Sequence, residues 1–148
     1  MSVRTANNEA VVIREIEEVW NSDGDLDVID DLVAKDVVYH SPMMDMEGRD
    51  EYREAAKEAR TIFTDLEMSV EDVVPTDEKV AVRYIVRGTH SGEMMGIEPT
   101  DERIEMTGIL IDRIEDGKIQ ERYDNADELG MFVQLGVVEL PEMEEFEQ

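Results

Sequence analysis

The chain has 148 residues, enough for one domain with a sizeable core, and 41% of them are apolar, which excludes a disordered chain. Thirty-nine acids against 14 bases give a formal charge of -25, and the 10 Arg and 4 Lys are scattered, so the field repels phosphate backbones and nucleic-acid binding is not expected. Cysteine is absent, which excludes disulfides and thiolate chemistry.

Val12, Ile13, Ile16, Val19 and Trp20 recur at helical spacing and predict an amphipathic helix over 9–20, capped by Asn7 or Asn8 and ended by the Asn21-Ser-Asp-Gly24 run. A second, short helix follows, with Asp25 as its cap and Leu26, Ile29, Leu32 and Val33 facing inward. Val37-Val38-Tyr39-His40 reads as a short strand, stopped at Pro42 because proline has no N–H for a ladder. Residues 43–48, with three methionines, read as a loop. Tyr52, Ala55, Ala56, Ala59 and Ile62 restore the helical period over 49–63. The period then changes to two: Leu66, Met68 and Val70, a Pro75-Thr-Asp-Glu turn, then Val80, Val82, Tyr84 and Val86. Arg83 and Arg87 fall on the opposite face, read as a salt-bridged outer surface. After a loop at 91–102 come a strand over 103–114, an Asp116-Gly117 hairpin turn and a return strand over 118–125. A last helix over 127–135 is capped by Asp127 and stopped by Gly136, and the acid-rich end from Glu139 is expected to fray.

Helices followed by a strand meander indicate an α+β fold, one domain over 1–138 with an acidic tail at 139–148. A curved antiparallel sheet wrapped over a long helix leaves a concave cavity of the kind that takes small molecules. No run approaches the ~20 apolar residues of a membrane span, and Met1 to Glu9 is polar, so no membrane association and a cytoplasmic location are expected. The acidity fits either a cationic partner or a solvated surface adapted to high salt. Its spread over every segment and the scarcity of lysine favour the second.

Several segments resemble a known family. They are Glu17-Glu-Val-Trp-Asn21 with Gly24-Asp-Leu-Asp27, Leu32-Val-Ala-Lys-Asp-Val-Val-Tyr-His40 with Glu47-Gly-Arg49, and Arg87-Gly-Thr-His-Ser-Gly-Glu-Met-Met-Gly-Ile-Glu-Pro-Thr100. The end, from Asp116-Gly-Lys-Ile-Gln-Glu-Arg-Tyr-Asp-Asn125 to Gln134-Leu-Gly136, completes the set. Together these blocks, about residues 8–136, resemble the SnoaL-like (ester or polyketide cyclase) branch of the NTF2-like superfamily. The resemblance implies a cone-shaped domain and a homodimer. It also implies an intramolecular aldol closure without metal or organic cofactor, performed by a carboxylate acid/base in an enclosed pocket.

By that resemblance Asp124, on the last strand, takes the acid/base position, and apolar walls would raise its pKa toward neutrality. Asp127 is a second candidate, with a helix cap as its other reading. Tyr123 stands where relatives carry Trp and is expected to wall the pocket. His40 and His90 are candidate pocket polar groups; 50 residues apart and without a His-x-x-x-His or His-Glu-x-x-His motif, they predict no metal site. Trp20 fits the core or the pocket mouth. The methionines at 43, 44, 46, 94, 95 and 131 fit an adaptable lid or plain packing. Leu110 stands where the cyclases carry His or Asp beside the catalytic aspartate, and leucine transfers no proton. Three functions follow as expectations: a cofactor-independent cyclase, isomerase or hydrolase acting on an apolar carbonyl compound, a non-catalytic binder of small apolar ligands, or a dimerising interaction module.

Overall fold

The computed structural model describes residues 1–142; the last part of the predicted acidic tail, 143–148, lies outside the described residues. Helix α1 (Val3–Val19) begins six residues before the predicted start, and its cap is Ser2, whose hydroxyl accepts from the Thr5 N–H. Asn8, one of the expected caps, is buried instead, and its Nδ2 donates to the carbonyls of Thr76 and Asp77 in a distant turn. Asn8 therefore fastens the helix to the sheet rather than starting it.

Asp25 caps a short 3₁₀ turn (Leu26–Val28) that runs into α2 (Ile29–Leu32). Strand β1 (Val33–His40) ends just before Pro42, as expected, and starts four residues early. The supposed methionine loop contains β2 (Asp45–Glu47), which pairs back on β1 with Met46 buried. Helix α3 (Arg49–Ile62) precedes β3 (Glu67–Pro75), β4 (Lys79–Thr89), β5 (Arg103–Glu115), β6 (Lys118–Ala126) and α4 (Glu128–Gln134). Asp116 and Gly117 both have positive φ, the backbone that a two-residue hairpin turn between β5 and β6 demands.

The six strands form one sheet in the order β2-β1-β6-β5-β4-β3. The expectation of a purely antiparallel sheet needs one correction: β1 and β6 run parallel, with Tyr39 beside Arg122 and His40 beside Tyr123. Between β1 and β6 the chain passes through α3 and four strands before returning, a long connection of the kind that a parallel neighbour requires. The class is α+β with a curved, mixed sheet.

The core lies between the helices and the inner sheet face. Val12, Ile16 and Val19 of α1 and Tyr52 and Ala56 of α3 meet Val80, Val82, Leu110, Ile114 and Ile119, all essentially inaccessible. A second cluster, with Ile62, Phe63, Leu66, Ile104 and Met131, seals the end where α4 folds back. Arg83 and Arg87 pair on the outer face with Asp72 and Glu105, at 2.7 and 3.3 Å.

The turn after α1 leaves no room at Gly24. A methyl group there would sit 1.9 Å from the carbonyl oxygen of Glu18, a backbone atom with nowhere to go. Gly24→Ala is expected to lower stability by about 1–3 kcal/mol or more, read from urea unfolding midpoints at constant m-value; an unchanged midpoint would contradict the packing of this turn.

Candidate functional site

The cavity lies between α1, α3 and the concave face of the sheet and has a volume of about 180 Å³. Phe63, Leu66, Met68, Val86 and Met106 make its apolar walls, and its polar groups are Trp20, Tyr39, Tyr84, Arg122, Asp124 and Glu128. Side chains alternate along a strand, so Arg122, Asp124 and Ala126 of β6 all face this space.

Asp124 accepts two short hydrogen bonds, one from the Tyr39 hydroxyl to Oδ2 at 2.7 Å and one from the Tyr84 hydroxyl to Oδ1 at 2.6 Å. One donor comes from β1 and the other from β4, so the sheet's topology aims the carboxylate from both sides. Burial first, and then the Asp124 carboxylate, push both phenols far above the ordinary tyrosine range. Both therefore remain O–H donors at any physiological pH. Tyr84 reaches this place because Gly108 faces it across the ladder: a Cβ at Gly108 would lie 2.3 Å from the phenol's Cζ and hydroxyl oxygen.

At the floor of the cavity, Arg122 is almost completely buried and spends all five N–H donors within the protein. Its Nε and Nη2 make a two-pronged bond to Asp112 at 2.6 and 2.7 Å. Its Nη1 and Nη2 reach Glu15 at 3.2 and 3.0 Å, and Nη1 also meets the Tyr52 hydroxyl at 2.8 Å. The Trp20 indole N–H donates to Glu15 at 2.9 Å, and the Tyr52 hydroxyl donates to the same oxygen. Burial pushes the Asp112 carboxyl up to about 6, against the pull of Arg122. Burial also opposes the charge of Arg122, but Asp112, Glu15 and Tyr52 outweigh it and hold the guanidinium protonated.

The structure separates the predicted site residues. Asp124 and Trp20 line the cavity. Leu110 lies directly across from Asp124 on β5 and is packed into the core. Tyr123 points the other way, being 54% exposed on the outer face, where it stacks on His40 with ring centroids 4.4 Å apart. His40 is bonded there to Glu121 at 2.9 Å, so neither ring walls the cavity. Strand alternation imposes this, since Tyr123 sits between two inward residues. His90 is fully buried away from the cavity; its Nδ1 accepts from the Thr100 N–H at 3.2 Å, and its Nε2 has no partner among the described residues. Asp127 caps α4 by accepting from the Gly130 N–H at 2.9 Å. Of the six candidate lid methionines none lines the cavity: 43, 44 and 95 are exposed, and 46, 94 and 131 are buried in packing.

Sequence reasoning overlooked Glu15, Asp112, Arg122, Tyr39, Tyr84 and Glu128. Glu15 was detectable as a charge on the apolar stripe of Val12, Ile16 and Val19, and Asp112 as a charge alternating with Leu110 and Ile114. Among the described residues, no group of three or more His, Cys, Asp or Glu side chains is placed to hold a metal ion. No helix among them is long and apolar enough to cross a membrane.

Comparison with known proteins agrees with this architecture. A family model described as SnoaL-like polyketide cyclase matches residues 10–135, and the chain belongs to that family. IdmH from Streptomyces antibioticus, a proposed polyketide cyclase, is 34% identical over 88% of this chain and 99% of its own, with a TM-score of 0.76. TsrD from Streptomyces laurentii is 25% identical over 90% of this chain and 97% of its own, with a TM-score of 0.80. A SnoaL-like protein from Jannaschia sp. CCS1, 20% identical over 94% and 98% with a TM-score of 0.85, shares the fold. No curated protein matches.

Removing Arg122 would strand two buried carboxylates. Arg122→Met is expected to cost about 3–5 kcal/mol, whereas the triple change Glu15→Leu, Asp112→Leu and Arg122→Met, which removes every charge at once, should recover most of that loss. Denaturant unfolding of both variants tests this, and equal stabilities for the two would refute the ion cluster's role.

Proposed function

We propose that the protein is a cofactor-independent enzyme of the cyclase or isomerase type, with Asp124 as general acid/base on a small, largely apolar carbonyl compound. The single observation that carries this reading is Asp124 itself, a carboxylate facing an apolar cavity with each oxygen fixed by a tyrosine hydroxyl. A carboxylate so oriented can take a proton from the carbon next to a carbonyl, and the enol formed attacks a second carbonyl to close a ring. The apolar walls hold the substrate and exclude water, and Arg122, whose N–H donors are all spent within the protein, positions the sheet residues around Asp124. The family relationship supports the same chemistry. Leu110, facing Asp124 where a second proton carrier would stand, favours the other reading, a binder of small apolar ligands that performs no reaction.

Solvent-deuterium exchange into the α-carbon of 2-tetralone, an apolar bicyclic ketone, tests the acid/base role by proton NMR. The wild-type protein should accelerate exchange, and Asp124→Asn should lower the rate by ~10²–10⁴-fold with ligand-induced thermal stabilisation retained. Retained stabilisation with equal exchange in both proteins would leave the binder reading.

The same proposal extends to assembly and habitat. Ile109, Ile111 and Tyr123 are exposed together on the outer face of the sheet, a surface suited to a homodimer, and the charge of -25 suits a cytoplasm of high salt. Raising KCl from about 0.1 to about 1 M shortens the screening length from roughly 10 to 3 Å. The melting midpoint should therefore climb, and a midpoint that is flat or falls counts against the salt-adapted surface.

A further inference from the structure

Enolisation to a neutral enol moves two protons, one taken from the α-carbon and one given to the carbonyl oxygen. Asp124 can carry only one of them. The cavity offers few other carriers. Leu110, across the ladder, has no proton to give. The Tyr39 and Tyr84 hydroxyls are committed to Asp124, the Trp20 N–H to Glu15 and Tyr52, and every N–H of Arg122 to Glu15, Asp112 and Tyr52.

Glu128 remains. It is half-buried at the first turn of α4, four residues after Asp124, and it lines the same cavity. Among the described residues no other side chain bonds its carboxyl. The geometry points to Glu128 as the second catalytic residue, the acid that protonates the substrate's carbonyl oxygen while Asp124 removes the α-proton. This inference rests on the acid/base reading of Asp124.

The charges and titratable groups around it agree with that role. Burial lifts the Glu128 carboxyl above the ordinary glutamate range against the pull of its own backbone N–H, and the like charges of Asp124 on β6 and Asp127 at the cap of α4 add to the lift. Tyr39 on β1, the other titratable group coupled to it, stays neutral. Asp124, with each oxygen already accepting a tyrosine O–H, and Glu128, biased to hold a proton, thus face one cavity in different surroundings, the arrangement that assigns base and acid.

The step balances. Asp124 takes the proton from the carbon beside the carbonyl, and the C–H electron pair becomes the C=C bond of an enol. The carbonyl π pair moves onto oxygen, which receives the proton of Glu128. In ring closure the enol carbon bonds to a second carbonyl carbon, the enol O–H proton returns to Glu128, and the new alkoxide takes the proton held by Asp124. Both carboxyls end as they began.

The test follows deuterium exchange into 2-tetralone across pH in the wild type, Glu128→Gln, Glu128→Asp and Asp124→Asn, alongside ¹³C NMR titration of the side-chain carboxyls. Glu128→Gln should lose at least ~10²-fold in rate and the falling alkaline limb of the profile, and Glu128→Asp should restore part of both. The Glu128 resonance should titrate above the ordinary glutamate range in the wild type and move down in Asp124→Asn. A Glu128→Gln protein that keeps the wild-type rate and limb, or a Glu128 that titrates at the ordinary value, overturns this role while leaving Asp124 as base. An Asp124→Asn protein as active as the wild type overturns the acid/base reading itself and this inference with it.

Discussion

One buried guanidinium holds the two layers of this protein together. Arg122 on β6 meets Asp112 on β5, Glu15 on α1 and Tyr52 on α3, so a single side chain ties two adjacent strands to both long helices. A buried ion cluster of this kind contributes little net stability, because desolvation offsets most of the attraction. Its effect is on specificity: Glu15 and Asp112 are tolerable in the interior only when Arg122 stands between them, so the helices have one register against the sheet. That register sets the separation between α1, α3 and the strands, and the space left over is the cavity.

The polar end of the cavity follows from the same geometry. Two residues beyond Arg122 on the same face, Asp124 meets Tyr39 from the parallel neighbour β1 and Tyr84 from β4, one strand beyond β5. An antiparallel pairing of β1 and β6 would change this register and move Tyr39 relative to Asp124. The glycine at 108 completes the arrangement by letting a phenol lie flat across β5. The site is thus built from backbone topology and one missing side chain as much as from the groups that would do chemistry.

Most of the fold was legible because it rests on periodicity. The change from helical spacing in Tyr52–Ile62 to alternation in Val80–Val86 fixed which segments were helices and strands, and Asp116-Gly117 fixed the hairpin. The parallel partner of β1 and the three-residue β2 were not legible, since pairing between distant segments leaves no local pattern. Asp124 was found through resemblance alone. Tyr123 and His40 were misplaced because the family blocks that contain them say nothing of which face a side chain takes, whereas the alternation of Tyr123 with Arg122 and Asp124, and of His40 with Tyr39, does. The ion cluster was hidden for a different reason: in a chain with 39 acids, two inward-facing carboxylates do not stand out by composition, only by position.

The bond between Glu15 and Arg122 spans 107 residues, and that between Tyr39 and Asp124 spans 85. During synthesis the N-terminal helix emerges long before the strand that neutralises it, so α1 cannot dock on the growing sheet without burying a bare carboxylate. Docking must wait for the last hairpin, and such non-local closure slows folding. The cavity therefore has no half-built form: a chain cut short before β6 lacks the pocket's floor and the means of holding its roof, and a chain that has β6 acquires both together.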